Sequence, residues 1–297
     1  MSGPKPLSQA PRDAILTWYA DAARTLPFRA TTDPYAILVS EMMAQQTQAA
    51  RAGEAWTRFM ANFPMVEVLA AAAPADVLRA WRGLGYNRRA LDLWRTAGLI
   101  VERFGGMVPR DLVALESLPG VGPYTARAVA ALAFGLPVGA VDTNVRRVLG
   151  RIVAGDAGTL APAALQRLAD ESVPPDRPGE WTHALMDVGA TLCHPQRPDC
   201  GLCPARPWCR FPGTSKGHIR ATREGQAPFR TTSRWLRGRI VERLREAPNG
   251  NWVVLERSIG EHDGAAVAAA ARSLANDGLL ELDGASGIDL RARLPIA

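Results

Sequence analysis

A mainly α-helical protein with a small α+β module near its C-terminal end is what this sequence predicts. Three observations carry that expectation. Up to about residue 210, apolar residues recur at helical spacing and strand-like alternation is scarce. Proline and glycine punctuate these stretches where helices begin and end. After residue 233 the pattern changes to helix, strand, helix and two strands, an order that resembles a winged helix.

Thr32-Asp33-Pro34 supplies capping candidates and a first-turn proline for a helix running to about Gln48. Trp56, Phe59, Met60 and Phe63 continue at helical spacing, followed by Val77, Leu78 and Trp81 and a stop at Gly83-Leu84-Gly85. Leu91, Trp94, Ala97, Leu99 and Ile100 mark another helix, closed by Gly105-Gly106. Further helices are expected over 111–117, 123–134, 143–153, 162–172 and 178–191. Residues 212–232, rich in Gly and Pro, read as a linker. The module at 233–297 should contain a helix at Trp235–Ala247, a strand at Trp252–Leu255, a helix at Gly264–Asn276 and two strands around Gly284–Gly287. Such a module either holds DNA or docks on a neighbouring domain.

At 297 residues and 47% hydrophobic content the chain can bury a real core, as one large domain or two to three small ones. No apolar run reaches eighteen residues, so no membrane partner is expected. Nothing at the N-terminus resembles a secretory signal, which favours a cytoplasmic location. A net charge of +6 favours an anionic partner. The basic residues are almost all arginine, with lysine only at positions 5 and 216.

All four cysteines fall within seventeen residues: Cys193, Cys200, Cys203 and Cys209, spaced C-x6-C-x2-C-x5-C. Disulfides fit poorly in a chain of this length and compartment. Zinc is the serious alternative, but zinc modules usually pair two short knuckles and only one is present. A four-thiolate [4Fe–4S] cluster tolerates the unequal spacing better.

Leu118-Pro119-Gly120-Val121-Gly122-Pro123-Tyr124-Thr125 joins two helical stretches. Its glycines permit a tight hairpin that presents backbone N–H groups at a helix N-terminus, a site suited to phosphate. Contacts of that kind hold DNA without reading its sequence. Twenty residues past Gly122 stands Asp142, before Thr143-Asn144-Val145. Most aspartates in that position only cap a helix. Glu41 is the sole charged residue between Pro34 and Ala44, and it shares a face with Ile37 and Leu38. Burial raises a carboxyl pKa, the property wanted of a general acid near neutral pH. A buried glutamate satisfied by local donors is the plainer reading. Gln45-Gln46-Thr47-Gln48 follows at once, a polar run able to reach into a DNA groove.

Ser40-Glu41-Met42-Met43-Ala44-Gln45-Gln46-Thr47, Gly83-Leu84-Gly85-Tyr86, the hairpin at 118–125, Val141-Asp142-Thr143-Asn144 and the cysteine loop occur together in one order. In this the chain resembles the helix–hairpin–helix base-excision DNA glycosylases that carry an iron–sulfur loop, and within them the adenine-excising branch. The likeness covers roughly residues 12–210. It implies a six-helix barrel domain at 28–134. A second domain, formed from 1–27 with 135–211, would carry the cluster. The implied partner is double-stranded DNA with a mispaired or damaged base, bound by a monomer, the target base being flipped out.

Position by position, the resemblance makes Glu41 the acid that protonates adenine at N7 and Asp142 the carboxylate that stabilises the sugar cation, or briefly bonds to it, before water attacks. Asn144 would help hold the catalytic water and Glu41. Tyr124 stands where bifunctional relatives keep a Schiff-base lysine. Gln46, Thr47, Leu84 and Tyr86 match residues that wedge around the base opposite adenine. Gly120, Val121, Gly122 and Thr125 match the phosphate-holding hairpin. Arg24 and Asp187 match the adenine pocket, and Arg29 is expected among the residues that bind substrate or DNA.

No lysine lies between positions 5 and 216, so an amine-based lyase step lacks its nucleophile and a monofunctional glycosylase is expected. Three positions depart from the pattern: Phe28 replaces tryptophan, Asn87 a tyrosine and Thr143 a glycine. The stretch after the linker is also too short for the Nudix-like domain with which such enzymes read 8-oxoguanine. Thymine or uracil excision from G mismatches is the neighbouring alternative. A non-catalytic iron–sulfur DNA-binding regulator is the alternative from another class.

Overall fold

The computed structural model describes residues 5–156, 160–213, 228–284 and 290–296. The chain forms two compact units. The first comprises Met1–Glu41, Pro109–Ser117 and Val121–Arg220, and the second Met42–Val108, Leu118–Gly120 and Ala221–Ala297.

In the first unit the helices Gln9–Ala22, Pro123–Phe134, Thr143–Ala154, Pro162–Glu171 and Pro178–Asp187 surround one apolar core. Ile15, Leu149, Leu165 and Trp181 are among its most buried members, and Cys193, Cys203 and Cys209 pack against it. The expected helix at 178–191 is not continuous. It changes at Val188–Leu192 to a wider π-helical turn, where a Cβ on Gly189 would collide with Asn144. Only glycine lets that turn approach the helix Thr143–Ala154 so closely.

The second unit packs the helices Ala49–Asn62, Val66–Ala70, Pro74–Ala80 and Arg88–Phe104 around Phe59, Leu69, Leu78 and Trp81. The tail adds the helices Ser233–Glu246 and Gly264–Asn276 with a three-stranded antiparallel sheet. In that sheet Arg291–Arg293 is central, between Val253–Val254 and Glu281–Asp283. This matches the expected helix–strand–helix–strand–strand order. Of the turn expected at Gly284–Gly287, residues 285–287 lie outside the described residues.

The helix Pro34–Ala44 ends four residues short of the expected Gln48. Arg89 explains the early stop. Its Nη1 donates to the carbonyls of Met42 (2.9 Å), Met43 (3.2 Å) and Gln45, and its Nη2 to those of Leu84 and Gly85. A guanidinium thus takes the place of the next helical turn for carbonyls that would otherwise lack donors. Gln46 then adopts a left-handed φ of 55°.

Candidate active site

Glu41 lies in a helix that starts where Asp33 accepts a hydrogen bond from the Tyr35 N–H (3.0 Å). It is 7% exposed, among the fully buried Leu38, Val39, Met42 and Met43. The phenol of Tyr124, second residue of the helix Pro123–Phe134, donates to Glu41 Oε2 at 2.8 Å. Burial pushes the Glu41 pKa up to about 7; the Tyr124 hydrogen bond opposes the shift and the charge of Asp142 adds to it. The acid is therefore partly protonated at neutral pH. With Oε2 accepting from tyrosine, Oε1 is left to carry the proton. Tyr124 itself is held well above the ordinary phenol range, first by burial and then by the charges of Glu41 and Asp142. It stays a neutral donor.

Asp142 caps the helix Thr143–Ala154. Its Oδ1 accepts from the Val145 N–H (2.7 Å) and its Oδ2 from Asn144 Nδ2 (2.9 Å). The cap and the proximity to Glu41 coexist, since the same carboxylate charge acts on both Glu41 and Tyr124. Asn144 bonds to Asp142 and accepts from Arg147 Nη2 (2.8 Å); no Asn144–Glu41 hydrogen bond is present among the described residues. Arg147 also donates to the carbonyls of Cys193 (2.6 Å) and Gly189 (2.7 Å), so one guanidinium links the cysteine loop to the side chain that holds Asp142.

Asp187 is fully buried. Arg29 grips both its oxygens at 2.7 Å, and Arg24 adds Nε (2.5 Å) and its backbone N–H (3.0 Å). Burial works to raise its pKa, but those hydrogen bonds and charges outweigh it and hold the carboxyl below its ordinary value. One turn earlier, His183 is pushed down to about 3 by burial and by Arg29, so its imidazole is neutral.

An open pocket of about 300 Å³ has Phe28, Arg29, Ile37, Glu41, Leu132 and His183 among its walls. That is the lower end of the roughly 300–1,000 Å³ range of small-molecule sites. Asp142 is not part of that wall. His183 and Arg147 were not picked out from sequence. His183 does stand four residues before Asp187 on one helix face, a spacing that could have drawn attention to it.

Gln46 and Tyr86 line a separate groove in the second unit, and both have left-handed backbones, φ 55° and 44°. Leu84 is buried, and Thr47 Oγ1 accepts from Arg89 Nη2 (3.3 Å). At the hairpin, Gly120 has φ 74°, and a Cβ there would come within 2.8 Å of the Met42 methyl. The Gln45 amide and the Thr96 hydroxyl donate to the carbonyls of Gly120 (3.2 Å) and Pro119 (2.8 Å). Val121 is buried, and so is Thr125. Gly122 is the N-cap of Pro123–Phe134, so no side chain caps that helix start.

The four cysteines are half-buried and form no disulfide. Among the described residues no three His, Cys, Asp or Glu groups are arranged as a ready metal site. The donor set nevertheless suits a cationic centre. Burial pushes the Cys203 thiol up to about 11, and the charges of Cys193, Cys209 and Cys200 add to that shift. Mutual repulsion of that kind between thiolates is what a bound cation relieves. The buried Arg151 donates to Cys193 Sγ at 3.3 Å and lies over the Phe211 ring at 4.2 Å.

Residues 39–175 match the family model described as HhH-GPD superfamily base excision DNA repair protein. An adenine DNA glycosylase of Mycobacterium tuberculosis is 44% identical over 260 residues, covering 83% of this chain and 81% of that protein. Among solved structures, a thermostable thymine-DNA glycosylase aligns with a TM-score of 0.64 at 32% identity, over 67% of this chain and 94% of its own. A trapped endonuclease III–DNA covalent intermediate aligns with a TM-score of 0.59 at 26% identity, over 67% and 92%.

Proposed function

This chain belongs to the HhH-GPD superfamily of base excision DNA repair proteins, and from that premise we propose that it removes adenine mispaired with 8-oxoguanine or guanine. One observation carries the reading: a buried glutamate with a pKa near 7, hydrogen-bonded by a neutral phenol and facing the charge of a second carboxylate. Two carboxyl groups in different environments divide the acid and anion roles, as in glycoside hydrolysis.

The flipped adenine enters the pocket, and Glu41 passes the proton on Oε1 to N7. The protonated base leaves with the electrons of the glycosidic bond, and Asp142 stabilises the positive charge that develops on the sugar. Water then completes hydrolysis. Asn144 and the Val145 N–H fix Asp142 in place. The Arg24–Asp187–Arg29 cage holds the pocket wall where Arg29 meets the base. Tyr124 is occupied with Glu41 and is no amine, so the product is an intact abasic strand.

Cys193, Cys200, Cys203 and Cys209 would hold a [4Fe–4S] cluster, which would supply a cross-link between loops. Arg147 and Arg151 fasten that loop to the helix bearing Asn144. The enzyme works as a monomer on duplex DNA at the nucleoid.

The test is a panel of duplexes carrying A:8-oxoG, A:G, T:G and U:G. Adenine should be released from the first two, with strand nicks only after hot alkali, and Asp142→Asn should abolish release. Faster loss of thymine would instead favour the activity named for the thymine-DNA glycosylase neighbour.

A further inference from the structure

The tail is fastened to the glycine turn that carries Tyr86. Asn87 Oδ1, at a position where the family pattern has tyrosine, accepts from Arg245 Nη2 (2.8 Å). Arg245 Nε donates to the Leu78 carbonyl (2.9 Å), Arg79 Nε to the Arg245 carbonyl (3.1 Å) and the Ala75 N–H to Pro295 (3.0 Å). Between turn and tail runs a groove of about 780 Å³, walled by residues 85–89 and by the helix Ser233–Glu246.

Arginine dominates its lining. Some of these side chains are already engaged: Arg245 with Glu242, Arg237 with Asp277, and Arg89 with helix-end carbonyls. Arg88, Arg234 and Arg239 are exposed and form no ion pair among the described residues. The Arg234 guanidinium lies 4.3 Å from the centre of the Tyr86 ring and 6.0 Å from that of Phe229. Both rings are open to solvent, 42% and 60% exposed. Two non-glycine residues with left-handed backbones, Gln46 and Tyr86, face the same groove. Such backbones are costly, and they cluster where ligands are held.

We infer that this groove binds a strand of DNA, with Arg88, Arg234 and Arg239 on phosphates and a base stacked on Tyr86 or Phe229. Arginines alternating with exposed flat rings match a polymer that alternates phosphate with aromatic base. An acidic protein surface would use the charges and leave the rings idle. The inference rests on the repair function proposed above and extends it, because it makes the tail part of the substrate-binding surface.

Fluorescence anisotropy with a labelled A:8-oxoG duplex, in an Asp142→Asn background so that the duplex stays intact, tests the assignment. Adding Arg234→Ala with Arg239→Ala should weaken binding about tenfold or more, and should reduce the slope of log K against log salt by roughly 1.8, since each lost phosphate contact removes about 0.9. Phe229→Ala should weaken binding roughly five- to a hundredfold with the slope unchanged, as loss of a stacked base does. Unchanged affinity and slope would overturn the inference, as would competition by polyglutamate equal to that by duplex. If the unmodified chain releases no base from any duplex, the excision reading fails, while the anisotropy comparison still judges the groove.

Discussion

Glu41 and Asp187 are buried carboxyl groups in one compact unit, and their surroundings drive them in opposite directions. Around Glu41 the side-chain donor is a neutral phenol, and burial prevails, raising its pKa to about 7. Around Asp187 two arginines close on both oxygens, and the carboxyl is held below its usual value despite complete burial. Burial alone therefore does not decide protonation; the charge of the partner does. One site keeps a proton to give away, and the other is a fixed anion that organises cations.

The largest way to break that contrast is Glu41→Gln, which keeps the shape and removes the transferable proton. Single-turnover adenine release should fall roughly 10²- to 10⁴-fold, the range of general acid catalysis. Stability should move the other way. The folded pKa of Glu41 lies above its ordinary 4.5. Its contribution to stability is therefore complete below about pH 4.5 and is lost as pH rises through about 7. The variant lacks that dependence, so by pH 8 it should gain on wild type by roughly 3 kcal/mol relative to pH 4. Denaturant melts at both pH values check this, and parallel curves for the two proteins would contradict the shifted pKa.

Next in size is Arg29→Leu, which strips the bidentate partner from Asp187. Breaking a buried pair costs about 3–5 kcal/mol, and Arg24 remains to limit the damage. Asp187 has a folded pKa below the ordinary 3.8. Its stabilising contribution is present above that value and is lost as pH falls through the folded pKa. The deficit of the variant should therefore shrink on acidification, opposite in sense to the Glu41 effect. Urea midpoints across pH 3 to 7 would show it; a deficit that stays constant would mean that lost packing, not charge, dominates.

Much of this contrast was legible along the chain, for a physical reason. Glu41 within an apolar helix, Asp142 before a helix start, the Gly120–Gly122 hairpin and the cysteine loop are local patterns, and local geometry follows from them. The partners that set protonation are not local. Tyr124 reaches Glu41 across 83 residues, and Arg29 reaches Asp187 across 158. Arg89, which ends the Pro34–Ala44 helix early, acts over 47 residues on Met42, and Arg147 over 46 on Cys193. Nothing in spacing marks one arginine out of so many as the one that will fold back onto a given carbonyl. The break in the helix 178–191 was hidden in the same way, because Gly189 reads as an ordinary helical glycine until Asn144 is placed against it.

Tyr124→Phe tests the contrast most finely. It leaves Glu41 buried and beside Asp142 but deletes the hydrogen bond that restrains its pKa. A single such bond is worth about 1 kcal/mol, so the pKa should climb by roughly half to one unit. In the pH profile of single-turnover adenine release, the limb where activity falls as Glu41 ionises should move to higher pH by that amount. The maximal rate should change less than about tenfold. If the limb instead moved down, the phenol would be raising the Glu41 pKa, and a neutral donor could no longer be credited with tempering burial there. If it did not move, burial and the charge of Asp142 would set the proton affinity alone, and the hydroxyl would serve only to orient Oε1 toward the base.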